Sequence, residues 1–149
     1  MIPSKREFPV HPLVAVGALI VEERKVLLVK RKNPPSSEMW TLPGGLVKVG
    51  ERVHEALIRE VLEECNIKIK PVKLLDVVDY IEKDSNAKIR FHYVIIDFQA
   101  QYLGGSLTPG SDVKDARWYL VHQLNEISIP QITRNFLNKF LPSILNKAC

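Results

Sequence analysis

The chain has 149 residues, of which 46% are hydrophobic and 26% charged, and its formal net charge is +4. This is the balance of a globular protein with room for one core, so a single domain over residues 1–149 is expected. No apolar run approaches the roughly 20 residues that span a bilayer, and no apolar segment typical of a signal peptide follows the first basic residues. The lysines and arginines are scattered, which disfavours a nucleic-acid partner.

The cysteines and histidines indicate neither a disulfide framework nor a zinc site. Cys65 and Cys149 form no C-x-x-C pair, and a protein without disulfides fits a reducing cytoplasm. Cys65 is expected to be a buried core thiol. The four histidines are too dispersed for a helical or knuckle-type zinc site.

The N-terminal third is predicted to form strands. Residues 13–21, LVAVGALIV, are nearly all apolar and predict a buried strand. Residues 25–32 predict a second strand that pairs with the first as a hairpin. A short strand at residues 40–42 then leads into a glycine turn at Gly44 and Gly45.

A helix is predicted from about Arg52 to Cys65, where the apolar side chains recur with helical spacing. Asn66 follows the last turn and can adopt the left-handed conformation that ends a helix. The predicted buried arc consists of Leu57, Ile58, Val61, Leu62 and Cys65.

The C-terminal half is predicted to be mainly strands. Residues 72–83 and 88–103 should form a long hairpin, and residues 116–121 one more strand. Pro130 can begin a final amphipathic helix, which Pro142 should bend or end. The predicted fold class is α/β (α+β), with a mixed sheet between two helices.

The first helix carries three carboxylates on one face, predicted to lie opposite the apolar arc. Glu60, Glu63 and Glu64 are spaced i, i+3 and i+4, so they repel one another unless a positive charge lies between them. Such clusters of oxygen ligands suit Mg²⁺ or Mn²⁺. The alternative is a solvated face in which Arg59 bridges Glu55 and Glu63.

The residues before the helix favour the metal-site hypothesis. Gly44 and Gly45 let the backbone approach a bound group closely. Glu51 lies near the helix start, where the helix dipole favours negative charge. A glycine turn followed by an acidic helix can hold a metal ion against a phosphate-bearing substrate.

Residues 45–67 resemble the Nudix box, G-x5-E-x7-R-E-U-x-E-E-x-G-U, in which U is a bulky aliphatic residue. One position departs from the pattern, because Asn66 stands where the family has glycine. Asparagine accepts the same backbone conformation. The flanking WTLPGG and DARWYL segments also resemble the family's surroundings. The matching residues are Gly45, Glu51, Arg59, Glu60, Val61, Glu63, Glu64 and Ile67.

The resemblance implies hydrolysis of a nucleoside diphosphate linked to another group, with Mg²⁺ or Mn²⁺ as cofactor. By analogy, Glu60, Glu63 and Glu64 are metal ligands, and the carbonyl of Gly44 is another. Glu51 and Arg59 would orient the ligand helix, and Gly45 would let the backbone approach the substrate. The remaining sites are candidates with open alternatives.

Asp112 is the candidate for an additional ligand or general base, because family members often supply an acidic group from the loop before the last strand. That loop also offers Asp115, and Asp112 is alternatively a turn residue. Without a loop carboxylate, the base would be Glu60 or Glu64. Arg31, with Lys32, ends the second strand where it can contact phosphate or remain solvated.

The substrate is the least determined property. Phe91, Tyr93 and Trp118 can stack on a base, although aromatic residues on strands more often pack in the core. The overall pattern resembles small prokaryotic members, so ADP-ribose and related nucleoside diphosphate sugars rank first and nucleoside triphosphates, including oxidised ones, second. A non-catalytic nucleotide sensor ranks third, because such proteins usually lose box carboxylates. A homodimer is left open.

Overall fold

The structure, a computed structural model, describes residues 6–147. Its elements in chain order are β1 (Leu13–Glu22), β2 (Lys25–Arg31), β3 (Trp40–Thr41), β4 (Gly44–Leu46), α1 (Val53–Cys65), β5 (Lys68–Lys83), β6 (Ile89–Gly104), β7 (Val113–Leu120), a 3₁₀ helix (Val121–Glu126) and α2 (Gln131–Lys147).

Strand β1 organises the mixed sheet. It pairs in parallel with β6 from Leu13 to Ile20 and antiparallel with β4 from Ala15 to Gly17. The predicted hairpin of β1 with β2 is confirmed, but it is limited to Val21 and Glu22 next to the turn. Strand β2 continues antiparallel to β7 and β3, and β5 pairs with β6 as the predicted long hairpin. Strand β1 therefore faces β4 at one end and β2 at the other.

The two helices cover opposite faces of the sheet, as predicted. Successive side chains of a strand point to opposite faces. Accordingly, Ala18 and Ile20 pack with Leu57 and Val61 of α1, whereas Leu19 packs in the cluster that contains α2. Burial of these two apolar clusters is the main source of stability for the fold. The mixed sheet between two helices is thus confirmed.

The predicted buried arc of α1 is partly wrong. Ile58 and Leu62 are 41% and 44% exposed, whereas Glu64 is only 6% exposed. Ala56 takes a buried position as well. The helix packs on the side that brings Glu64 against β4, and Ile58 and Leu62 are rotated toward solvent.

Other boundaries also differ from the prediction. Gly44 and Gly45 form a strand with β1 rather than a turn. Pro142 lies inside α2 and does not end it. Strand β5 begins at Lys68, and β7 begins at Val113, both earlier than predicted. Pairing with β6 and β2 extends them into segments whose own sequence is polar.

Two other predictions about single residues can be compared with the structure. Asn66 ends α1 with φ 59° and ψ 32°, and its N–H donates to the carbonyl of Leu62, as predicted. Cys65 is a buried free thiol, whereas Cys149 lies outside the described residues. Within residues 6–147, neither helix is long and apolar enough to cross a membrane.

Candidate active site

Arg59 gathers three glutamates around one guanidinium. Nε and Nη2 donate to the two carboxylate oxygens of Glu51 at 2.6 and 2.9 Å. Nη1 donates to Glu60 at 2.7 Å and to Glu63 at 3.3 Å, and Nη2 also donates to the carbonyl of Leu46 at 3.1 Å. We refer to Glu51, Arg59, Glu60 and Glu63 as the Arg59 cluster. Three carboxylates face one guanidinium, so the cluster keeps an excess of negative charge.

The contacts of Arg59 correct one prediction. The predicted bond to Glu63 is confirmed, but Glu55 does not bind Arg59 and instead faces Arg52 at 4.0 Å on the exposed surface. Glu51 takes its place. The hydrogen bonds from Arg59 and then from the Lys48 amide lower the pKa of Glu51 to about 2. The bidentate geometry fixes α1 to the segment that precedes it.

Glu64 differs from the cluster because it is buried and no cation among residues 6–147 is bonded to it. Its Oε1 accepts a hydrogen bond from the Gly44 amide at 3.0 Å. Burial, the largest cause, raises the pKa of Glu64 to about 8, and the charge of Glu60 raises it further, whereas Gly44 and Arg31 act in the opposite direction. Burial also raises the pKa of Glu60. Nearby positive charge would therefore be strongly favoured here.

The two glycines of β4 allow this close approach of helix and strand. A Cβ on Gly45 would lie 2.5 Å from the carboxylate of Glu60. A Cβ on Gly44 would lie 1.9 Å from the carbonyl oxygen of Val16. The first glycine therefore makes room for a carboxylate, and the second lets β4 lie against β1.

The backbone of Gly44 faces α1. In an antiparallel pair the residues alternate between bonded and non-bonded positions. Pro43 accepts from Ala18 at 2.9 Å and Val47 donates to Val14 at 3.0 Å, so Gly44 falls at a non-bonded position. Its N–H and C=O both point away from β1, on the side where its N–H meets Glu64.

The carboxylate and carbonyl oxygens of this region are suitable ligands for a hard divalent cation, but they do not yet surround one point. Carboxylate and carbonyl oxygens are the ligands that Mg²⁺ and Mn²⁺ prefer, and Glu60, Glu64 and the Gly44 carbonyl lie on facing elements. In the part of the chain that the structure describes, no three His, Cys, Asp or Glu side chains converge on one point. The reason is local, since Arg59 occupies oxygens of both Glu60 and Glu63.

Asp112 lies on the exposed loop that covers the end of α1. In this loop, the amides of Thr108 and Gly110 donate to the carbonyls of Cys65 and Glu64 at 3.0 and 2.9 Å. The charge of Asp112 contributes to the raised pKa of Glu64, so the two carboxyl groups are within electrostatic reach. Asp115, the other candidate, is bonded to Arg117 at 2.7 Å and to the Ala116 amide at 2.9 Å.

Arg31 connects this region to a cavity. Its guanidinium lines the cavity, and its charge lowers the pKa of Glu64. Nε donates to the carbonyl of Pro35 at 2.5 Å, and burial lowers the pKa of Arg31 itself. Lys32 is exposed instead, and its Nζ donates to the carbonyl of Ser111 at 3.3 Å. Of these two neighbouring cations, only Arg31 faces the cavity.

The cavity has a volume of about 150 Å³ and lies between the sheet and the start of α2. Among the aromatic candidates, Tyr93 lines it. Phe91 is buried in the interior, and Trp118 packs edge-on against Tyr102 with ring centroids 5.5 Å apart. Asp97 also lines the cavity, and the sequence analysis did not identify it. The available signal was one acidic residue inside the apolar run YVIIDF, because a charge on a buried strand is costly without a role.

Comparisons with known proteins agree with these features. A family model described as NUDIX domain matches residues 11–140. The chain is 38% identical over 125 residues to an ADP-ribose pyrophosphatase of Methanocaldococcus jannaschii, covering 84% of this chain and 72% of that protein. It is 28% identical over 130 residues to the NAD-capped RNA hydrolase NudC of Pectobacterium carotovorum, covering 85% of this chain and 45% of that protein.

The fold is also similar to solved structures. The crystal structure of a MutT NUDIX hydrolase from Burkholderia pseudomallei superimposes with a TM-score of 0.74 at 30% identity, covering 87% of this chain and 98% of that chain.

Proposed function

The chain belongs to the Nudix family of hydrolases, and on that premise we propose that its pyrophosphohydrolase site cleaves ADP-ribose or a related nucleoside diphosphate sugar, with Mg²⁺ or Mn²⁺ as cofactor. The observation that carries the choice of substrate is the 38% identity to an ADP-ribose pyrophosphatase over 84% of the chain. The neighbouring cavity supports it, because it can receive part of a nucleotide beside the acidic helix.

Four groups would hold the cation, namely the carboxylates of Glu60, Glu63 and Glu64 and the carbonyl of Gly44. A divalent cation held by these groups would neutralise pyrophosphate oxygens and would activate a water molecule. Glu60 and Glu63 must first exchange part of their bonding to Arg59. The two bonds from Arg59 to Glu51 would keep the helix oriented if Glu60 and Glu63 bound a metal.

The remaining roles fall to groups at the edges of the site. Arg31 contacts a phosphate of the bound substrate, since its guanidinium lies in the cavity near Glu64. Gly45 lets the β4 backbone approach the pyrophosphate. Asp112 takes the proton of the attacking water, and Glu60 or Glu64 does so if Asp112 does not. Oxygen from water bonds to phosphorus, the bridging P–O bond breaks, and ADP-ribose yields AMP and ribose 5-phosphate.

A second candidate is hydrolysis of nucleoside triphosphates, including oxidised ones. It is favoured by the similarity to a MutT NUDIX hydrolase at 30% identity. The nucleotide is the only partner proposed here. A homodimer and a cytoplasmic location stay predictions from the sequence.

The test is a hydrolysis screen with separated products. Purified protein is offered ADP-ribose, UDP- and GDP-sugars, the common nucleoside triphosphates and 8-oxo-dGTP, each with Mg²⁺, with Mn²⁺ or with excess chelator. We expect ADP-ribose to be hydrolysed fastest, with AMP and ribose 5-phosphate as products. We expect no hydrolysis in excess chelator. Glu55→Gln is the matched control, because Glu55 is an exposed glutamate of α1 outside the cluster. Faster release of pyrophosphate from a triphosphate would favour the second candidate, and turnover in chelator would contradict the metal.

A further inference from the structure

Beyond the hydrolytic centre, we propose that Asp97 selects the nucleobase of the substrate. Its carboxyl group, at the floor of the cavity, hydrogen-bonds a ring edge that carries one donor and one acceptor, as the N1 and 6-amino edge of adenine does. The inference rests on the proposed function in one respect, namely that the cavity holds the nucleoside half of the substrate.

The position of Asp97 is built by its neighbours across the sheet. Asp97 on β6 stands opposite Gly17 on β1 and Asp76 on β5. A Cβ on Gly17 would lie 2.3 Å from the Asp97 Oδ1 atom. A side chain at position 17 would overlap the carboxyl group of Asp97 where it now lies. Gly17 therefore provides the space that this carboxyl group occupies.

The carboxyl group of Asp97 lacks a protein partner. It is 6% exposed, and no hydrogen bond joins it to any other residue between positions 6 and 147. The Tyr93 hydroxyl, four residues away on the same face of β6, is buried with no well-formed hydrogen bond in this range, although Arg6 lies beside it. Both residues line the cavity. Buried polar groups are nearly always bonded, so a buried carboxyl group that faces a cavity and has no bond to residues 6–147 indicates a ligand.

The rest of the cavity fits a planar ring better than a sugar. Its walls include the apolar side chains of Leu42, Ile95 and Phe136 and the ring of Tyr80. A volume of about 150 Å³ equals that of an engineered cavity that binds benzene. A sugar would need a hydrogen-bond partner for each hydroxyl, whereas a base needs them at its edge only.

The charges around Asp97 favour a carboxyl group that both donates and accepts. Burial, and then the charge of Asp76, raise the pKa of Asp97 to about 7. Asp76 itself faces Lys139 of α2 at 3.7 Å, and the other charged or titratable groups facing this cavity are Arg6, Arg31, Tyr80 and Tyr93. A protonated carboxyl group offers one donor and one acceptor, which matches the edge of adenine.

The distance to the hydrolytic centre is also suitable. Gly44, Gly17 and Asp97 stand side by side on β4, β1 and β6. Two strand spacings separate Gly44 from Asp97, roughly 10 Å. A base bound at Asp97 therefore leaves the ribose and phosphates to extend toward Gly44 and Glu64.

The experiment compares the binding of two reaction-inert nucleotides by calorimetry. One is AMP, and the other is purine riboside 5′-monophosphate, which lacks the 6-amino group. We expect the unmodified protein to bind AMP about tenfold more tightly, the effect of leaving one buried group unpaired. Asp97→Asn, whose amide also donates and accepts, should keep the preference. Asp97→Leu should bind both equally, and Asp79→Asn on the exposed side of β5 is the control.

Each outcome decides the inference. Equal binding of the two nucleotides by the unmodified protein overturns it whether or not the variants fold, as does a preference that persists in Asp97→Leu. No measurable binding of either nucleotide at millimolar concentration also overturns it. Because no hydrolysis is needed, a preference for AMP in a protein that fails the hydrolysis screen would refute only the proposed function. Hydrolysis of ADP-ribose without the preference would refute only the role of Asp97.

Discussion

The carboxylates near the candidate site are held in two different ways. In the Arg59 cluster, Glu51, Glu60 and Glu63 share a guanidinium supplied by the same helix, and the pKa of Glu51 is lowered to about 2. Glu64 and Asp97 are each 6% exposed, and in the described part of the chain no cation is bonded to either. Their pKa values are raised to about 8 and about 7, mainly by burial.

The Arg59 cluster is already bonded within the protein, whereas the carboxyl groups of Glu64 and Asp97 are available to a ligand. The hydrogen bonds within the Arg59 cluster fix α1 before any substrate arrives, although the cluster keeps an excess of negative charge. Glu64, on the α1 side of the sheet, and Asp97, on the α2 side, carry a desolvation cost, and neither is hydrogen-bonded to a cation among residues 6–147. A bound metal and a bound base would provide what each one lacks.

The largest expected effect comes from Glu64→Gln. Glutamine retains an oxygen that can accept from the Gly44 amide but removes the charge that would hold a metal, so kcat should fall more than about 100-fold, beyond the loss typical of residues that only orient a ligand. Steady-state kinetics with ADP-ribose and a thermal melt measure this. Glu63→Gln, whose side chain is 45% exposed, should also lower kcat. Near-normal turnover in both variants would mean that the helix face is not a metal site.

Asp112→Asn should lower kcat by about 100-fold if Asp112 is the general base. The acid limb of the pH–rate profile should flatten, and KM should change much less, because the helix glutamates remain. A pH–rate series for both proteins provides the measurement. Parallel curves with similar maxima would remove Asp112 from the mechanism and assign the base to Glu60 or Glu64.

Arg59→Met tests the Arg59 cluster. Glu51 and Glu60 would lose their shared partner, so we expect kcat/KM to fall about 10- to 100-fold, as for other residues that orient metal ligands. Arg52→Met is the matched control, because Arg52 only faces Glu55 at 4.0 Å on the surface. Equal activity of the two variants would show that the Arg59 cluster is dispensable.

The raised pKa of Asp97 predicts how stability depends on pH without ligand and metal. Between the usual pKa near 3.8 and the folded value of about 7, the folded state holds a proton that the unfolded state has lost. The Asp97 contribution to the free energy of unfolding therefore falls as pH rises, by about 1.4 kcal/mol per pH unit. Asp97→Asn should remove this slope, which urea unfolding at several pH values measures. Identical slopes would contradict the raised pKa.

The smallest effect is expected for Asn66→Gly. Both residue types accept the observed φ of 59°, so kcat should stay within a few-fold. The loss of the bond from the Asn66 Nδ2 atom to the Ser106 carbonyl at 3.1 Å should change the free energy of unfolding by about 1 kcal/mol. A large gain in rate would show that this departure from the family pattern affects the hydrolytic centre.

Local patterns predicted most of the fold, because helical spacing, alternation and turn residues each reflect neighbours along the chain. These local patterns gave wrong predictions where contacts with distant segments determine the orientation of a side chain or the pairing of a strand. Glu64 turned inward and Ile58 outward because β4 lies against the helix, and Gly44 became a strand residue because β1 pairs with it.

The same limit applies to the candidate site. Its glutamates and Asp112 were identified from spacing within one motif and its flanking loop, and their roles stay predictions. Asp97 was missed because its surroundings come from Gly17 and Asp76, on two other strands. A single sequence does not show which residue faces which across a sheet.

The contact between Gly17 and Asp97 also has an evolutionary consequence. Because a methyl group at position 17 would overlap the carboxylate oxygen, the two positions are not free to change one at a time. Relatives that carry a larger residue at position 17 should carry a different residue at position 97, whereas relatives with the acid should retain the glycine. This pair should therefore covary, and it identifies in advance the two positions to alter together when the base preference is redesigned.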